Sequence, residues 1–197
     1  MSASGPSAGR TAGGRNWDAL AALIAALIGV LALLVSGYTA YIQRQQVRAQ
    51  VWPYLTKAYV DPAATDRDDL HHEMAIYNKG VGPAIVRSVQ VTVDDASQPD
   101  WPHVFDALGL PYTGVGHSTL NGDVLSPTET LPVLVFPDAQ ALARFREAMI
   151  ARAKIRICYC STLDECWMFA GRKPHAEPDV QSVAKCPDLA PGDTFSD

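Results

Sequence analysis

Charge is scarce in this chain, and cysteine is confined to its end. Of 197 residues only 19% are charged, whereas 48% are apolar. A disordered chain needs the opposite balance, because too few apolar groups leave ordering entropy unopposed. Lys and Arg form no dense block, and the formal net charge is −5. Phosphate backbones are held by clustered cations, so nucleic acid is not an expected partner. No Cys precedes Cys158, and there is no Cys-X-X-Cys and no internal repeat. The most informative absence is of charge itself: none falls between Ala19 and Ile42, 24 residues in a row.

That run carries Leu20, Leu23, Ile24, Leu27, Ile28, Leu31 and Leu34. At about 1.5 Å of rise per helical residue it reaches roughly 36 Å, more than a hydrocarbon core of about 30 Å. Trp17 stands at one end, and Tyr38 and Tyr41 at the other. Amphipathic rings of this kind favour the headgroup layer. A buried helix of a soluble core rarely stays uncharged on every face for so long. Residues 17–42 are therefore expected to form an uncleaved transmembrane helix in a lipid bilayer. A cleaved signal peptide is the rival, with Val35-Ser36-Gly37 as its small-residue site. The run outlasts the roughly 7–15 residues of a typical signal core.

Residues 1–16 are rich in Gly, Ser and Ala and read as a disordered tail. Residues 43–53, with good helix formers in Gln43–Gln50, extend the helix until Pro53 stops it. Two flanking cations precede the span, Arg10 and Arg15, and three follow, Arg44, Arg48 and Lys57. That balance slightly favours a cytoplasmic C-terminal part. Four cysteines in the last 40 residues favour an oxidising compartment instead. The combined expectation is a single-pass protein of the cell (inner) membrane with its domain on the extracytoplasmic side.

From 54 to 171 the pattern changes to short strands. Tyr54–Val60, Leu70–Tyr77 and Ile85–Val93 are the clearest, with further short strands near 117–125 and 129–136. Val104–Leu108 suggests one or two helical turns. Asp138 can cap a helix over about 138–153, with Leu142, Phe145, Met149 and Ile150 on one face. A final hairpin pairs Lys154–Cys160 with Cys166–Ala170, and 172–197 reads as a proline-rich extended tail. The expected fold is mostly β: an antiparallel immunoglobulin-like β-sandwich with one short amphipathic helix. Arg10, Arg15 and Asp18 precede residue 43, so 43–197 holds 14 of the 16 basic and 20 of the 21 acidic residues, a balance of −6.

Ala75-Ile76-Tyr77-Asn78-Lys79-Gly80-Val81-Gly82-Pro83-Ala84-Ile85-Val86, running on to Asp95, resembles the strand–turn–strand of bacterial immunoglobulin-like adhesion and surface modules. It is also similar to domains of uncharacterised single-span bacterial membrane proteins. The resemblance covers about 25 residues and implies a β-sandwich without catalytic residues. Independently of it, Asn78, Gly80 and Gly82 tolerate positive φ, and Pro83 restricts pairing where a strand starts.

The cysteines carry the most chemistry. Alternation along Lys154–Cys160 puts Ile155, Ile157 and Tyr159 on one face and Arg156, Cys158 and Cys160 on the other. Cys166 then falls opposite Cys160 across the loop, which suits a cross-strand bridge. Cys158 is left for Cys186, a bond that would pin the tail. Four thiolates can also hold zinc, but Cys158-Tyr159-Cys160 lacks the usual knuckle spacing. Free thiols are the third option.

The remaining motifs read as structural. His71-His72 point to opposite faces of a strand, so one is expected inward and one solvated. Asp66, Asp68 and Asp69 lack the glycine and distal Glu of a calcium loop. Gly114-Val115-Gly116-His117-Ser118 has Leu120 where a nucleophile elbow needs glycine. Gly80-Val81-Gly82 precedes a strand, not a helix, so it cannot cradle phosphate. Arg144, Arg146, Arg152, Lys154 and Arg156 suggest a solvated face. No catalytic group, cofactor or metal is expected. The expected role is a non-catalytic binding or accessory subunit of a bacterial envelope complex, contacting a membrane or envelope protein. A membrane-anchored ligand sensor or regulator is the alternative, and a zinc or thiol-redox enzyme is a third class.

Overall fold

A computed structural model describes residues 14–61, 71–171, 180–190 and 193–196, with side chains from Trp17 onward. The chain divides into two compact units, Met1–Val47 and Arg48–Asp197. Helix α1 spans Gly14–Gln50. Residues 14–16 are thus helical rather than part of the expected tail; the rest of that tail lies outside the described residues. Every large apolar side chain from Trp17 to Tyr41, including Leu27, Leu34 and Tyr38, is exposed. The segment is long and apolar enough to cross a membrane, a test that a signal sequence also passes.

The second unit is two antiparallel sheets. The first joins β1 (Leu55–Val60), β2 (His72–Asn78), β7 (Thr130–Phe136) and β5 (Gly116–His117), in the order β1-β2-β7-β5. The second runs β10 (Val180–Val183), β9 (Cys166–Ala170), β8 (Ala153–Cys160), β3 (Ala84–Val93) and β4 (Ala96–Gln98), with β6 (Val124–Leu125) also on β3. The β2–β7 register shifts between Met74 and Ala75, where the opposing partners jump from Leu134 to Pro132. A proline has no N–H for the ladder, so a bulge is where a strand tolerates one.

Two helices cover the core. In α2 (Trp101–Leu108) Asp100 accepts a hydrogen bond from the His103 N–H at 2.9 Å, and Gly109 closes the end at φ 71°. The helix begins three residues before the expected position because this cap precedes Trp101. In α3 (Ala139–Arg152) Asp138 accepts from the Ala141 N–H at 2.8 Å. Leu142, Phe145 and Met149 are buried, but Ile150 is exposed and does not share their face inward. It is the one expected core residue of α3 that the packing leaves outside.

One hydrophobic core draws on both sheets. Met74, Ile76 and Leu134 come from the first, Val89, Val91, Ile157 and Phe169 from the second. Its aromatic centre places Phe105 and Phe145 4.9 Å apart and Phe136 5.1 Å from Phe145. Trp101 meets Phe195 edge-on at 4.9 Å. Phe195 lies in the tail that the sequence presents as coil, yet it is fully buried. Its N–H donates to Val89 O at 3.3 Å, and Ser196 N donates to Pro99 O at 2.7 Å. The tail also contributes β10, which pairs Val180 with Phe169 and Val183 with Cys166. Extended coil is therefore replaced by a strand and a second core anchor.

The structure predicts that Phe195→Ala costs about 3–5 kcal/mol, the range for emptying an aromatic core position. Urea unfolding of the full chain in detergent would measure it. A loss below about 1 kcal/mol would show that the C-terminal segment does not share the core.

Candidate functional site

Asn78, at the end of β2, is buried, and its side chain makes five hydrogen-bonding contacts among the described residues. Its Oδ1 accepts from Tyr54 N at 3.2 Å and Gly80 N at 3.0 Å. Its Nδ2 faces three carbonyls, Gly82 O at 2.8 Å, Leu125 O at 3.0 Å and Ser126 O at 3.2 Å. Two hydrogens serve these three acceptors, so one bond is shared. The backbone joins in, as Asn78 N donates to Glu129 O and Thr128 N donates to Asn78 O. One amide thus ties three segments: the residues after α1, the 79–83 turn and the 125–129 turn.

The glycines of this turn serve a different purpose from the one their sequence suggests. Among the described glycines, positive φ occurs at Gly109, Gly114 and Gly122 but not at Gly80 or Gly82, and Asn78 does not adopt it either. Close approach is what requires glycine here. A Cβ at Gly80 would lie 2.5 Å from Trp52 O and Tyr54 N, and one at Gly82 would lie 2.2 Å from Val51 O. The amides of Val81 and Gly82 donate to Trp52 O at 3.0 and 3.2 Å, and Lys79 N donates to Tyr54 O at 2.8 Å. Pro83 sits just before β3 begins at Ala84, where a missing N–H breaks no pairing.

The second cluster is sulfur. Cys158 pairs with Cys186 and Cys160 with Cys166, at Cα separations of 5.6 and 4.0 Å. Cys160 and Cys166 are direct cross-strand partners in the β8–β9 register. All four side chains are at most 9% exposed and pack with Met168 and Val183 apart from the main core. Strand β8 is therefore covered on both faces: Ile155, Ile157 and Tyr159 line the core, while Cys158 and Cys160 lie beneath the C-terminal segment. Closing the longer loop contributes about 3–4 kcal/mol and the shorter about 2 kcal/mol on a chain-entropy count. The tail staple is the stronger constraint.

Tyr159 also bridges the sheets. Its hydroxyl accepts from Leu55 N at 3.3 Å, and burial pushes its pKa up to about 12. Tyr59 on β1 is raised to about 12 by burial, opposed by the Arg146 guanidinium 5.6 Å from its ring centre. Unlike Tyr159, its enclosed hydroxyl has no hydrogen-bond partner among the described residues. Tyr59 lines a groove of about 450 Å³ between β1 and α3, whose walls include Leu142, Ala143, Arg146 and the exposed Ile150. A second apolar groove, of about 280 Å³, lies between the loop after α2 and the start of α3, beside Phe105, Phe136 and Arg144.

The other candidate residues are dispersed. His71 is exposed, whereas His72 is half-buried with Nδ1 3.2 Å from Asp61 Oδ1. Asp66, Asp68 and Asp69 lie outside the described residues. Gly114 and Gly116 flank a turn leading into β5, and His117 Nδ1 meets Tyr112 Oη at 2.6 Å. In the row of cations Arg144, Arg146, Arg152 and Arg156 are exposed and Lys154 is half-buried, and two of them are paired. Arg152 grips Asp94 with Nε and Nη2 and donates to Ala107 O at 2.9 Å, while Lys154 pairs with Asp95. Asp94 and Asp95 form the β3–β4 turn at φ 48° and 65°, and the Arg152 hydrogen bond holds the Asp94 carboxyl below its ordinary range. Sequence reasoning passed over the Asn78 amide, Tyr159 Oη and Phe195. A lone aromatic in the polar stretch Thr194-Phe195-Ser196 was the only local signal for the last.

No known protein family, curated protein or solved structure matches the chain.

Two outcomes follow from this geometry. Asn78→Ala strands the Tyr54 and Gly80 amides at about 1–3 kcal/mol each. Denaturant unfolding is expected to show a loss of roughly 3–5 kcal/mol, and a loss under 1 kcal/mol would refute the hub. The tyrosines give a pH dependence. A folded pKa raised from 10 to about 12 contributes stability that is complete below pH 10 and lost as pH climbs toward 12. Tyr59→Phe is expected to be neutral or stabilising at pH 7 and to reduce the loss of melting temperature at alkaline pH. An unchanged alkaline profile would contradict that assignment.

Proposed function

We propose that this chain is a single-pass protein of the bacterial inner membrane that holds an immunoglobulin-like β domain outside the cytoplasm. There it acts by binding, as a non-catalytic accessory subunit of an envelope complex. The observation that carries this reading is the union of an exposed apolar helix with a domain whose four cysteines are paired. Structural disulfides persist in oxidising compartments. The mild net acidity of the domain and its paired cations suit a protein partner better than a polyanion.

A second reading, a membrane-anchored sensor of a small ligand, is favoured by the groove beside Tyr59. Its 450 Å³ falls within the size range of small-molecule sites, and its walls are mainly apolar with a few polar groups.

Membrane-impermeant maleimide labelling of intact cells, with and without prior reduction, tests the topology. Labelling that appears only after reduction is expected. Labelling without reduction would overturn the pairing of the cysteines, and labelling only after lysis would overturn the extracytoplasmic assignment. Crosslinking in intact membranes tests the role: a defined envelope protein recovered with the full chain supports the accessory reading. Recovery of the chain alone, with saturable small-molecule binding, would replace it by the sensor.

A further inference from the structure

The two bridges touch, and three of the four sulfurs form one cluster. Cys160 Sγ lies 3.8 Å from Cys186 Sγ, and the sulfurs of Cys160, Cys166 and Cys186 all fall within 4.8 Å of one another. Cys158 joins them through its bond to Cys186. Thiolates about 2.3 Å from a tetrahedral zinc ion stand roughly 3.8 Å apart. The contact between the two bridges already has that length. Cys158-Tyr159-Cys160 lacks the usual knuckle spacing, but residues two apart on a strand project from one face. Cys166 on β9 and Cys186 beyond β10 approach that face from two further segments. Burial of all four side chains keeps bulk water away from the cluster.

We propose that, once both disulfides are opened, Cys158, Cys160, Cys166 and Cys186 bind one soft divalent cation of the zinc class as a four-thiolate site. Opening consumes two equivalents of a dithiol reductant. Each disulfide gains two electrons and two protons to become two thiols, and each dithiol becomes a disulfide. The cation then replaces the four thiol protons, which pass to solvent. Thiolate sulfur selects zinc and other soft ions over magnesium or calcium. The segment after β10 is thereby held to β8 in either redox state, by disulfides under oxidising conditions and by metal under reducing ones. This inference stands apart from the proposed function, because it does not depend on the side of the membrane.

The test uses the full chain in detergent, reduced with a phosphine under anaerobic conditions and titrated with Co²⁺. The expected result is a near-ultraviolet sulfur-to-cobalt band and the visible bands of a tetrahedral site, saturating at one Co²⁺ per chain. Zn²⁺ should displace the signal, and Mg²⁺ should not. The β-sheet circular dichroism should survive reduction. Tetrahedral bands that fail to form, saturation well above one ion, or loss of β signal on reduction before metal is added would each overturn the proposal. The double variant Cys158→Ser/Cys186→Ser keeps only the Cys160–Cys166 hairpin pair. It is expected to bind Co²⁺ at least tenfold more weakly; unchanged affinity and spectrum would show that the four cysteines are not the ligands.

Discussion

The domain depends on one buried side-chain amide. Asn78 Oδ1 and Nδ2 hold together three stretches of chain: the residues just after α1, the turn into β3 and the turn that precedes β7. A buried polar group of this kind is stabilising only when every donor and acceptor is met, and here each is. The constraint explains the glycines beside it. With Trp52 O accepting from two amides of the 79–83 turn, the two backbones run too close for any Cβ at Gly80 or Gly82.

At the other end of the chain the same problem is solved twice. Residues beyond β9 have few apolar side chains, so burial alone cannot offset the entropy of ordering them. The Cys158–Cys186 bond removes much of that cost by restricting the unfolded chain. Phe195 then inserts beside Trp101 and Val89, giving the segment a share of the central core. Staple and aromatic plug act at separate points, and β10 lies ahead of both. The sulfur cluster consequently occupies the outer face of β8 while the aromatic core occupies the inner one.

Both apolar grooves are walled in part by α3. Its inward face is filled by Leu142, Phe145 and Met149, whereas Ile150 and Arg146 turn toward the groove beside β1. Arg152 and Lys154, at the end of α3 and the start of β8, are engaged with the Asp94–Asp95 turn. The cations that a linear reading would pool into one solvated row are thus divided among separate tasks.

Local period was enough for much of this architecture. An uncharged run of one span's length marks α1, two-residue alternation assigns Ile155, Ile157 and Tyr159 to one face of β8 and the cysteines to the other, and Asp138 marks the start of α3. These features are legible because each depends on neighbours within a few residues. The β3–β4 turn, the Met74–Ala75 bulge, β10 and the exposure of Ile150 were not legible, since strand partners and helix neighbours decide them. The same holds for Asn78, which a linear reading takes for a turn former. Its role arises from carbonyls at Leu125 and Ser126, almost fifty positions away. Phe195 is buried by residues roughly a hundred positions earlier, at Val89, Pro99 and Trp101. The sequence by itself determined the membrane-length helix and the two-faced cysteine strand. Only the tertiary structure decided what the amide and the last aromatic do, because their partners become neighbours only when distant segments fold together.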